Sequence, residues 1–176
     1  MADRFAGKIS IGGQVPADKV PTLIDAINSE SINLHPEWSD KIFSANCEQD
    51  LIDALDKAGH IVLCDDQARN GMFDCLEDDL TELGVAWERW SDGYCEYDAE
   101  IVWWQPGMNG QEGIICDANG NEVVPAKPVK EAYALLRHCF SERPGSGNLQ
   151  MRNAAMKQLA SVVTEVPTLP PLELEG

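Results

Sequence analysis

Residues 60–90 read HIVLCDDQARNGMFDCLEDDLTELGVAWERW. Ile61, Val62 and Leu63 form a short continuous apolar run, which predicts a buried strand over 60–64. Met72, Phe73, Leu76, Leu80 and Leu83 then recur at helical spacing. They predict a helix from about 71 to 83, stopped by Gly84. Val85–Trp90 is rich in aromatic and β-favouring residues and predicts a second strand. A strand, a helix and a strand in this order make a βαβ unit, and the rest of the fold is read outward from it.

The same order occurs upstream. Residues 8–14 alternate apolar and polar positions and end in Gly12-Gly13, a strand and turn. Pro16-Ala17-Asp18 opens a helix with Val20, Leu23, Ile24 and Ile27 on one face. Ile32 and Leu34 mark a second strand, and a helix over about 48–58 turns Leu51, Ile52 and Leu55 inward. The tripeptide Trp38-Ser39-Asp40 returns as Trp90-Ser91-Asp92, a separation of 52 that also links Ile9 with Ile61 and Ile11 with Leu63. The repeated element order fits a ferredoxin-like βαβ duplication.

Downstream, Ser91-Asp92-Gly93 has hairpin-turn chemistry. Tyr94–Trp104 alternates as a long strand, with Cys95, Tyr97, Ala99, Ile101 and Trp103 on one side and Glu96, Asp98 and Glu100 on the other. Ile114–Cys116 and Glu122–Val124 flank the turn signal Asn119-Gly120. A last helix begins at Pro128, with Ala132, Leu135, Leu136 and Cys139 inward. The expected architecture is α+β: a mostly antiparallel sheet of about four to six strands with three to four helices. We place a single core domain at 1–140. From 141 to 176 the composition becomes linker-like and Pro-rich, with a short helix over 151–163 and an extended, mobile end. Within that end, Leu169, Leu172 and Leu174 form a docking-peptide pattern.

Charge sets the boundaries on function. Thirty acidic residues oppose 13 basic ones, a net charge of −17. Affinity for nucleic acid comes largely from Lys and Arg on phosphates, so direct nucleic-acid binding is not expected. Anionic membranes are disfavoured for the same reason, and no apolar run is long enough to span one. The opening residues MADRFAGKISIGG lack an apolar region followed by a cleavage site, so a cytoplasmic protein is expected. Six cysteines without a CxxC pair are expected as reduced, mostly buried thiols.

Two readings of the carboxylates compete. In the first, Asp65 and Asp66 end a buried strand, where α/β proteins collect ligand sites, and hold a metal for a hydrolase or nucleotide-handling enzyme, with Glu77 nearby. Against it, adjacent strand residues point to opposite faces. No phosphate-cradling loop, HExxH, GxSxG or dinucleotide motif accompanies the pair, and no cofactor is expected. In the second reading the carboxylates form a surface. Residues 65–100 carry 12 acidic groups against Arg69 and Arg89 alone. Asp74, Glu77, Asp78 and Glu82 are expected on the helix face opposite Phe73, Leu76 and Leu80. Glu96, Asp98 and Glu100 are expected as a row on the wet face of the strand, with Trp104 as an exposed aromatic anchor beside them.

We expect a non-enzymatic acidic interaction module for a basic protein surface, such as that of a nucleic-acid-binding protein. By size and charge the chain is similar to the acidic inhibitors and nucleic-acid mimics that phages and mobile elements make against restriction or CRISPR systems. The alternatives are the metal-dependent enzyme and a structural or accessory subunit held by its tryptophans and tail.

Overall fold

The structure, a computed structural model, describes residues 3–36, 42–94, 98–117, 119–141, 146–163 and 166–175. Trp38-Ser39-Asp40 and Cys95, Glu96 and Tyr97 lie outside these residues. The chain divides into two compact units. Residues 1–121 with 168–176 form one, and 122–167 form the other. The sequence expectation is a core of 1–140 followed by a tail.

The first unit holds β1 (Arg4–Val15), α1 (Val20–Glu30), β2 (Asn33–Leu34), α2 (Glu48–Asp53), β3 (Ile61–Arg69), α3 (Asp74–Leu83), β4 (Ala86–Ser91), β5 (Ala99–Trp104) and β6 (Glu112–Cys116). The strands form an antiparallel sheet in the order β2-β3-β1-β4-β5-β6. β3 and β4 both run against β1 and lie on either side of it, so β3-α3-β4 is a βαβ unit split by the first strand. The order β2-β3-β1-β4 is the ferredoxin-like arrangement, and β5 and β6 extend it as a meander. Ile9 pairs with Leu63 and Ile11 with Ile61. The positions related by the 52-residue repeat thus face each other across one strand pair, centred on Ser10 and Val62.

One face of the sheet carries the core. Ile9, Ile11, Leu63, Trp87, Val102 and Trp104 pack with Leu23 and Ile27 of α1 and Leu76 and Leu80 of α3. Each helix buries its apolar stripe and turns its polar face outward. Trp87 pairs with Trp104 across β4 and β5, and its indole N–H donates to the Thr81 hydroxyl at 3.0 Å.

The Pro-rich end is not a loose tail. Residues Leu172–Leu174 form β7 (Leu172–Leu174), which pairs in parallel with Gly13–Val15 of β1. Leu169 and Leu172 are buried. The docking-peptide pattern therefore docks on the chain's own sheet. Gly12 makes the approach possible, since a Cβ there would run into the Pro170 carbonyl oxygen.

The second unit is a helical hairpin of α4 (Ala126–Ser141) and α5 (Ser146–Ala160). A bond from Gln158, near the end of α5, to Glu131, near the start of α4, fixes them antiparallel. Ala132, Cys139 and Ala155 are its buried apolar side chains among the described residues.

Candidate functional site

The two outer helices of the first unit are anionic. α1 (VPTLIDAINSE) and α3 (DCLEDDLTEL) contain no Lys or Arg. Asp25 on α1 and Asp74, Asp78, Asp79 and Glu82 on α3 are exposed. Asp74, Asp78 and Glu82 are spaced by four residues and therefore lie above one another on the helix surface. Glu30, the last residue of α1, accepts a hydrogen bond from the Leu76 N–H at 3.0 Å and so occupies the N-terminal end of α3. Partial burial pushes the Glu30 carboxyl above its usual range. The Leu76 N–H opposes that shift, and the charges of Asp74, Asp79 and Asp65 add to it. The helix layer is thus dense enough in negative charge that one member feels three others.

Asp74, Asp78 and Glu82 lie on the outer face as expected; Glu77 does not. It is buried, on the inner side of α3, against Arg89 of β4. Arg89 is 1% exposed. Its Nε lies 2.9 Å from Glu77 Oε1, but the N–H is not directed at that oxygen, so the contact is ionic rather than a hydrogen bond. Nη2 donates to Glu100 Oε1 at 2.8 Å, and Nη1 donates to Ser91 Oγ and the Gly71 carbonyl. Glu77 Oε1 also accepts the Phe73 N–H, closing the start of α3. Burial raises the Glu77 carboxyl more than Arg89 lowers it. Glu77 lies four residues after Phe73 and three before Leu80, so the spacing itself puts it on the inner stripe; its carboxylate reads as a surface group only because the buried counter-charge, Arg89, is distant in sequence.

The β5 carboxylates need the same correction. Glu100 pairs with Ser91, Val102 with Arg89 and Trp104 with Trp87, so all three belong to the helix-covered face. Ala99, Ile101 and Trp103 lie on the other one. The alternation was right in period and inverted in side, because Glu100 is drawn to the core edge by Arg89. Trp104 is buried in the core and is no surface anchor. Asp98 is exposed, ahead of the strand. Glu96 lies outside the described residues.

β3 continues to Arg69, so Asp65 and Asp66 sit in mid-strand rather than at a strand end. Asp65 lies in the helix-side row with Gly7 and accepts the Gln67 N–H; Asp66, its neighbour, points to the opposite face. The two do not converge on one ion, and no cluster of three metal-ligating groups occurs among the described residues.

Charge divides sharply between the units. The first unit carries 26 acidic and seven basic residues, a net −19, while residues 122–167 carry four acidic and six basic ones, a net +2. No family model, no curated protein and no solved structure matches the chain.

Proposed function

We propose that the chain is a non-enzymatic interaction protein whose acidic helix layer docks on a basic protein surface, of the kind that otherwise binds nucleic acid. The observation that carries this reading is the α3 surface. Asp74, Asp78 and Glu82 stack one turn apart with Asp79 beside them, and neither outer helix supplies a cation. Like charges at this spacing cost about 0.2–0.5 kcal/mol per pair. A surface built only for solubility mixes signs and avoids that cost. The concentration of charge in one unit favours the same reading, because a partner would meet a field of one sign and associate fast at low salt.

The test is capture of tagged protein from lysate of the source organism, followed by competition. A basic partner retained at low salt, released at high salt and displaced by added DNA or RNA supports the reading. A partner retained equally at both salts and indifferent to nucleic acid overturns it.

A further inference from the structure

The face of the sheet away from the helices carries a pocket of about 320 Å³, lined by Lys8, His35, Glu88, Trp90, Ile101 and the turn at 119–120. All of these belong to the first unit. Its volume lies at the lower end of small-molecule sites.

The floor is one cross-strand row, since Lys8 pairs with Trp90 and Trp90 with Ile101. Glu88 stands two residues from Trp90 on β4, on the same face. The walls are fixed by backbone. The His35 N–H donates to the Val62 carbonyl at 2.8 Å. The turn is closed by the Asp117 carboxylate, which accepts the Asn119 and Asn121 N–H groups.

Two polar groups in this pocket lack partners. Among the described residues neither the Glu88 carboxyl nor the Lys8 ammonium makes a hydrogen bond or an ion pair. Lys8 lies 6.0 Å from the centroid of the Trp90 ring, at the outer limit for a cation–π contact, and is free to turn to an acceptor. Burial pushes the Glu88 carboxyl above its usual range, with Lys8 and His60 pulling the other way. A half-buried carboxyl without a donor is costly. The pocket therefore offers an acceptor, a donor and an aromatic face, and its two charges offset one another.

We propose that this pocket binds a small neutral planar heterocycle of the nucleobase type. Its ring lies on Trp90 and Ile101, its N–H donates to Glu88, and its adjacent carbonyl accepts from Lys8. A phosphate would be repelled by the net −19 of the unit, so a nucleoside fits and a nucleotide does not.

The test is titration of the full chain with uridine, cytidine, adenosine and guanosine, read by tryptophan fluorescence and calorimetry. Uridine and guanosine carry a ring N–H beside a carbonyl, and at least one of them is expected to bind saturably with a dissociation constant below about 1 mM; adenosine and cytidine lack that pair and are expected to bind more weakly. Glu88→Leu and Lys8→Met are each expected to weaken it by about tenfold or more, while far-UV circular dichroism stays unchanged. Glu88→Gln serves as an isosteric second variant. No saturation with either uridine or guanosine overturns the proposal. So does binding that survives Glu88→Leu and Lys8→Met unchanged, or a nucleoside 5′-monophosphate that binds more tightly than its nucleoside.

Discussion

Replacing Arg89 by methionine removes the cation on which the inner side of α3 and the sheet converge. Arg89 is almost wholly buried, as is the Glu77 side chain at 5% exposure, whereas Glu100 keeps 42% and can return to water. The variant therefore leaves one carboxylate buried without a counter-charge, and it leaves the Gly71 carbonyl and Ser91 hydroxyl without a donor. Breaking a buried pair from one side costs roughly 3–5 kcal/mol. Glu77 limits that loss by taking up a proton. Its folded pKa is already raised by burial, and loss of Arg89 raises it further. The folded state then binds more protons than the unfolded one. Stability is full below the usual carboxylate range and is lost as pH rises from there through the folded value, with a limiting slope of about 1.4 kcal/mol per pH unit between the two. Urea unfolding followed by tryptophan fluorescence should show Arg89→Met strongly destabilised at pH 7 and recovering progressively as the pH is lowered toward the usual carboxylate range. Arg89→Met combined with Glu77→Gln keeps an acceptor for the Phe73 N–H and should restore most of the loss. A single variant within about 1 kcal/mol of wild type at pH 7, or a loss independent of pH, would refute the reasoning.

Glu88→Gln should stabilise the protein at pH 7 and be neutral below the usual carboxylate range. The raised folded pKa of Glu88 makes the wild type lose stability as pH rises through it; thermal melts between pH 4 and 7 give the difference. Asp78→Lys turns two like-charge pairs, with Asp74 and Glu82, into attractive ones and should raise stability by about 1–2 kcal/mol, read from the urea midpoint. Gly12→Val should drive residues 168–175 off the sheet, because a side chain there meets Pro170. Limited proteolysis should then cut this segment early while the rest of the first unit resists.

The βαβ core was legible because its signals are local. Leu76, Leu80 and Leu83 mark a helix, and the paired runs around Ile9 and Ile61 mark strands that bury one face. The errors came where a distant residue decides. Nothing near Glu100 in sequence reveals that Arg89 lies under the helix and draws that carboxylate to the core side. Glu77 is different: its spacing from Phe73 and Leu80 already puts it on the inner side of α3, and only its counter-charge is hidden. Asp65 and Asp66 read as a strand end because polar residues follow an apolar run, yet pairing with Arg4–Gly7 extends β3 past them. The prolines near the end suggested an extended mobile segment. They are extended, but Leu169 and Leu172 find a groove beside Gly12 that local composition does not display. The pocket at Glu88 was equally hidden, since Lys8, His35, Trp90, Ile101 and the turn at 119–120 come from five separate places in the chain.

The central claim is that charge on the outer face of α3 recruits a basic partner. The direct measurement compares wild type with the triple variant Asp78→Lys, Asp79→Lys and Glu82→Lys in parallel capture from one lysate at low salt, quantified by mass spectrometry. Asp74 is left in place, because it favours the N-terminal end of the helix dipole. Loss of the wild-type partner from the variant, with circular dichroism and urea midpoint preserved, is the predicted result. Capture of the same partner in the same amount by the folded triple variant would contradict the account.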